Sequence, residues 1–369
     1  MQFKHFLAFI LIFSSLTSQA AEQCQALFGT KPYRNDKAIG EQIYKRELQE
    51  LGDAFSAIQH LSWSDQVNKL VADDSRKLFF HLRVLSQTYG VKNSKFFSER
   101  EKKFKNLEFL LGRVQLNQDL KQRLFKMNEP ELAQVFQARE TEASLELKKG
   151  LKKLGMLEDP VKTTEKMQKE IEKFNWDSAK KDRKFLLSET ISFAKALNES
   201  ITEQKFDSAD LEKGLHRLRR RMRELIYRMV NLDGAIKLVS EDELPKELET
   251  WFADLKTHNP DIFVSAYLPK RKSGLESPIV VGHKSLALLA QVVTEIGLAK
   301  DKDEPLFYIE SAIADEELDL KVKMRAMKKL EKMKSEMVDA QVVAQNYQKQ
   351  IRDTHLLEFM SRFLEAHNR

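Results

Sequence analysis

The chain has 369 residues, and its 62 lysines and arginines exceed its 56 aspartates and glutamates by six. That excess is thin in a chain that is 32% charged, so net charge alone identifies no polyanion partner and the placement of the cations has to decide. One cysteine excludes an internal disulfide, and twelve glycines and eight prolines with hardly any alternating runs argue against a sheet-based architecture.

The N-terminus reads as a secretory signal peptide over residues 1–20. Lys4 supplies the charge, Phe6 to Phe13 is unbroken apolar chain, and Ser14 to Ala20 is small and polar, ending Ser18-Gln19-Ala20. The apolar run is shorter than the roughly 20 residues that span a bilayer. Cleavage is expected after Ala20, which places the mature chain in a periplasm or outside the cell. No second apolar run approaches membrane length, so a membrane-spanning protein is not expected. Cys24 keeps three readings: a lipid anchor, disfavoured because Glu22 and Gln23 precede it; a thiol with no role; or a disulfide to another chain.

Apolar residues three and four apart then mark helices in succession. They run over Ile39 to His60, Ser64 to Tyr89 and Lys95 to Leu111. Another starts at Glu129-Pro130, with proline in the first turn, and reaches Leu154. After a break at Gly155 to Pro160, helices are expected from Thr163 or Thr164 to Phe174 and from Ser178 to Ser200. Asp207 and Ser208 can cap a long helix that ends near Asn231 to Gly234. A short one covers Pro245 to Thr257. Residues 258–282 differ: Asn259-Pro260, Pro269, Ser273-Gly274 and Pro278 punctuate two β-rich stretches around the tip Lys270-Arg271-Lys272. This segment reads as a loop or a small hairpin. Lys284 to Ile296 is an apolar helix, Pro305 opens another to Ala314, and Glu316 to His367 is helical with room for one break. The expected fold is an all-α bundle of long antiparallel helices. It has an N-terminal helical half (21–157), a C-terminal helical half (158–369) with a basic helix at 208–232, and one small β-hairpin or loop insertion at 258–282.

Catalytic motifs are absent. Gly150 and Gly155 have phosphate-loop spacing, but Met156 and Leu157 stand where Lys and Ser or Thr are needed. There is no nucleophile elbow, no close histidine pair, and too little cysteine for a zinc site. Pairs such as Asp73-Asp74 and Glu316-Glu317 read as solvated helix surface, and Trp63, Trp176 and Trp251 as core or hairpin anchors. No catalytic residue, no metal and no cofactor is expected, and the chain is not read as an enzyme.

The segment from Leu211 to Arg228 stands apart. Leu215, Leu218, Met222, Leu225, Met229 and Leu232 form one apolar seam. Opposite the seam, His216, Arg220, Arg223 and Tyr227 fall in one stripe, with Arg219 on one flank and Arg217, Arg221 and Arg228 on the other. Seven cations from Lys213 to Arg228 face one acid, Glu224. Like charges four apart repel, and arginine forks onto phosphate oxygens. A polyanion would relieve that repulsion, and His216 could add charge as pH falls. The alternative is that Glu241-Asp242-Glu243 and the acidic Glu310 to Asp319 region neutralise this face.

His216-x-x-Arg219-x-x-x-Arg223 followed by an aromatic resembles the signature helix of CHAD domains, the conserved-histidine α-helical family. Leu110-Leu111-Gly112-Arg113 and Ile296-Gly297-Leu298-Ala299-Lys300-Asp301 resemble that family's Leu-Gly turns, and Phe80-His81-Leu82-Arg83 a first-half histidine helix. The resemblance implies a helical bundle with a basic groove for inorganic polyphosphate. The expected anion-binding residues are His216, Arg217, Arg219, Arg220, Arg223 and Tyr227. The expected ligand is polyphosphate or a phosphorylated envelope component; nucleic acid is disfavoured because few aromatics interleave to stack bases. The alternative is a non-catalytic structural or partner-binding envelope protein that uses Met324, Met327, Met333 and Met337 of its C-terminal helix.

Overall fold

The computed structural model describes residues 33–206, 211–263, 265, 267–269, 273, 275–315, 318–335 and 340–368. The signal peptide, Cys24, the caps Asp207 and Ser208, the tip 270–272, Glu316, Glu317 and Met337 lie outside them. Within the described residues the chain is an all-α bundle carrying one two-stranded sheet.

α1 (Ile39–Ile58), α2 (Trp63–Ala72) and α3 (Arg76–Gly90) come first. The stretch expected as one helix over Ser64 to Tyr89 breaks at Asp73-Asp74-Ser75, where Asp74 takes φ +51°. That conformation cannot continue a right-handed helix, and the break lets α3 turn its own face into the core. α4 (Ser94–Lys126) and α5 (Pro130–Leu154) are a long antiparallel pair. The Asn93 side chain accepts from Phe96 N at 3.0 Å and starts α4, which runs 15 residues beyond the expected Leu111. Its turn uses Asn128 at φ +57°, then Glu129 and Pro130. Arg113–Glu146 at 2.7 Å and Lys121–Glu140 at 2.5 Å lace the pair together.

α6 (Pro160–Glu172), α7 (Ala179–Thr202) and α8 (Arg217–Val230) follow, with a π-helical turn over Leu211–His216 leading into α8. β1 (Ile236–Val239) pairs in parallel with β2 (Ile279–Gly282), Ile236 opposite Ile279, and α9 (Lys246–His258) lies in the crossover between them. Among its described residues, segment 258–282 therefore forms no hairpin of its own. Its described residues are a loop that ends in β2, because a parallel partner was already present after α8.

α10 (His283–Asp315) joins two expected helices into one. Pro305 lies inside it and lacks the N–H that would bond the Asp301 carbonyl. Arg123 Nη2 on α4 donates to that carbonyl instead, at 3.3 Å. α11 (Leu320–Ser335), α12 (Ala340–Asp353) and α13 (Leu356–His367) complete the chain. α12 and α13 are separated at His355, which takes φ +54°. The expected single C-terminal stretch is thus three helices.

One apolar core runs through both halves, from Ile43, Leu51 and Leu82 through Leu147 and Leu187 to Leu218, Leu289 and Leu357. A smaller core sits at the far end of the α4–α5 pair. There Leu120, Leu124, Leu132 and Phe136 meet Leu306, Ile309, Ala326 and Leu330 of α10 and α11.

Candidate functional site

The seam of α8 and its flanks faces the core: Leu215, Leu218, Met222, Leu225, Met229 and Leu232 are all buried. That face meets the core, so the arginines are distributed around the rest of the helix, against α3, α4, α7 and α10.

The stripe does not stay whole. Arg223 turns inward beside Glu108 of α4, with Nη2 at 3.6 Å from Oε1, and its guanidinium lies 4.3 Å from the Phe80 ring. Arg83 of α3 bridges two carboxylates, donating to Glu108 at 2.8 Å and to Glu224 at 2.9 Å. Arg76 approaches Glu108 from the other side at 3.7 Å. Arg221 pairs with Glu224 at 3.2 Å and covers Phe193 at 4.1 Å. Arg228 donates to Thr88 Oγ1 at 2.9 Å and also covers Phe193; burial pushes it down to about 10. Four guanidiniums thus share two buried carboxylates, and the Nε atoms of Arg76, Arg223 and Arg228 are buried without a hydrogen-bond partner.

Two glycines shape this centre. The Arg219 guanidinium lies against Gly297 of α10, where a Cβ would stand 2.6 Å from Nη2; Arg76 lies against Gly112 of α4, where a Cβ would stand 2.7 Å from Cζ. The two Leu-Gly segments of the sequence therefore each admit one guanidinium at a helix surface.

His216 is half-buried, and Lys300 of α10 approaches it along with its own helix's Arg219, Arg220 and Arg223. Lys300 itself holds Glu304 at 2.5 Å and Asp301 at 3.0 Å. Burial first, then the repulsion of Arg220, Lys300, Arg219 and Arg223, pushes His216 down to about 3. Burial and these cations thus oppose the charge that His216 could add as pH falls. A titration of the His216 ring followed by NMR should show no inflection between pH 5 and pH 8. An inflection in that window would show that the four cations do not converge on it.

Tyr227 is not a free aromatic on the basic face. Its ring packs on Phe80 (4.6 Å), His81 (4.8 Å) and Tyr267 (6.1 Å), and burial drives its hydroxyl well above the ordinary range. Arg217 and Arg220 are exposed and have no ion pair or hydrogen-bond partner among the described residues. Of the six residues expected at the site, His216, Arg219, Arg220 and Arg223 converge. Arg217 lies apart on an exposed flank, and Tyr227 serves packing.

Two residues of the acidic runs weighed as neutralising α8 are engaged elsewhere. Glu241 accepts from the backbone N–H groups of Lys284 (2.8 Å) and Ser285 (2.9 Å), capping α10, and Glu310 pairs with Lys334. His81, in the first-half segment, faces Glu47 of α1 at 3.0 Å. Glu108, Arg76 and Lys300 were not among the expected residues. Glu108 carried a signal: it is an acid inside the apolar stripe Leu107, Leu110, Leu111. Among the described residues no group of three or more His, Cys, Asp or Glu could hold a metal.

No protein-family model matches the chain, and no curated protein and no solved structure matches it.

Proposed function

We propose that this is an exported helical protein that binds a phosphate-rich anion, polyphosphate or a phosphorylated envelope component, on the face where α8 meets α3, α4 and α10. The observation that supports this reading is the charge balance: the ion pairs of Arg76, Arg83, Arg221 and Arg223 fall on two carboxylates, Glu108 and Glu224, while Arg228 is buried with a hydrogen bond to Thr88 Oγ1. Buried cations without counter-charges are costly, and an oxyanion supplies both charge and acceptors for arginine. Arg220 stands exposed at the rim, with Arg219, Lys300 and neutral His216 behind it. The likeness of His216-x-x-Arg219-x-x-x-Arg223 to the CHAD signature points to the same ligand class.

The test is titration of the purified protein with polyphosphate at several salt concentrations. Affinity should fall steeply with salt, as counterion release requires. The double variant Arg217→Ala/Arg220→Ala removes two exposed cations that have no ion pair or hydrogen bond among the described residues. It should weaken binding on the order of tenfold and flatten the salt dependence, while the unfolding midpoint stays put. Affinity unchanged in that variant would refute the proposal.

A further inference from the structure

α11 carries a second concentration of cations, independent of α8. Seven lysines and arginines between Lys321 and Lys334 accompany one acid, Glu331. The helix has two apolar sides. Val322, Ala326 and Leu330 are buried, and Met327 and Met333 pack against the smaller core. The other side leaves Leu320 69% and Met324 66% exposed, one turn apart. Of ten large apolar side chains that stay exposed among the described residues, four belong to the elements around this small core: Phe125, Phe307, Leu320 and Met324. The end of α4, two residues past Phe125, is tied to α11, since Lys329 Nζ donates to the Met127 carbonyl at 2.7 Å.

Six of the seven cations of α11 divide into two groups. Arg325 and Lys329 reach Glu129, and Lys334 reaches Glu310. Lys321, Lys323 and Lys328 have no carboxylate partner among the described residues, and Lys321 and Lys328 are exposed beside Leu320 and Met324. The outward stripe is therefore apolar knobs set among unpaired lysines.

Charge decides the occupant. A second copy of this face would set lysine against lysine, which repels. Protein interfaces are depleted of lysine at their centres. An anionic bilayer surface fits both features: the knobs enter the headgroup layer, the lysine stems lie along it, and their ammonium groups meet lipid phosphates. No described helix is long and apolar enough to cross a membrane, so contact through α11 is with the surface.

We propose that α11, with Phe125 at the end of α4, docks the protein on the surface of a bilayer rich in anionic lipid. The experiment is co-sedimentation of the purified protein with vesicles of phosphatidylcholine alone, and with vesicles of equal parts phosphatidylcholine and phosphatidylglycerol. The protein should sediment with the anionic vesicles only, and less as salt rises. Lys321→Gln/Lys328→Gln should lower the partition coefficient about tenfold, and Leu320→Ser/Met324→Ser by a similar factor. Both variants should keep polyphosphate affinity, and Arg217→Ala/Arg220→Ala should keep vesicle binding, so this surface and the α8 face fail separately. No sedimentation, equal binding to neutral vesicles, or full binding by both α11 variants would overturn the proposal. Loss of vesicle binding in the α8 variant alone would overturn it too, by assigning the headgroups to α8.

Discussion

Arg83→Met is expected to lower the unfolding free energy by about 3 kcal/mol, the lower end of what breaking a buried ion pair costs. The side chains of Arg83, Glu108 and Glu224 are 6%, 6% and 8% exposed, so neither carboxylate can recover its hydration when the guanidinium goes. Methionine fills most of the volume and supplies no donor. The loss stays at the low end because Arg221 still reaches Glu224 at 3.2 Å, and Arg223 and Arg76 stand 3.6 and 3.7 Å from Glu108. The measurement is urea unfolding: the midpoint should fall while the slope is unchanged, since the same surface is exposed on unfolding. Adding Glu224→Gln to Arg83→Met should recover part of the loss by removing one stranded charge, a coupling that a double-mutant cycle reads directly. A loss under about 1 kcal/mol would mean that Arg83 does not hold α3, α4 and α8 together.

This network explains which parts of the molecule the sequence could reveal. The seam of α8 was legible because period 3.6 depends only on residues in the same helix, and every one of its six positions is buried. The partners of the arginines were not. Arg83 and Glu224 are 141 positions apart, and periodicity says which face a residue takes without saying what faces it. Tyr227 shows the same limit: the helical wheel placed it opposite the seam, and Phe80, His81 and Tyr267 cover it there. Local breakers misled in both directions. Pro305 read as a helix start because proline fits a first turn, yet Arg123 from α4 takes the carbonyl that its missing N–H leaves open. Asp73-Asp74-Ser75 contains no proline or glycine, and the break there rests on one left-handed residue. The crossover strand pair was equally hidden, because β1 and β2 are four residues each, and their pairing depends on a segment 40 residues away rather than on a hairpin turn.

Glu129 extends the argument to the far end of the α4–α5 pair, where the expected effect is local. Its carboxylate is fully buried. Arg325 donates to it from Nε, at 3.0 Å, and from Nη2, at 2.8 Å, and Lys329 donates at 2.5 Å. Burial alone would raise its pKa, but the hydrogen bonds from Arg325 and Lys329 outweigh burial and hold it below the ordinary value. A carboxylate with a depressed folded-state pKa stabilises fully above its unfolded value. Its contribution is lost as pH falls through the lower, folded one. The attachment of α11 should therefore weaken in acid. Glu129→Ala should reproduce that loss at neutral pH, at a cost of about 2 kcal/mol; Arg325 and Lys329 are half-exposed and regain water, which keeps the figure below that for Arg83. The clamp ties α11 to the turn beside the small core of Leu124, Phe136, Leu306, Ile309 and Leu330. Hydrogen exchange should accordingly speed up in α11 and in α10 beyond Pro305, while amides of α3 and α8 keep their protection. Glu129→Gln should keep part of the protection and remove its acid dependence. Exchange that rises uniformly over the whole chain would mean that the small core has no stability of its own and melts only with the main one.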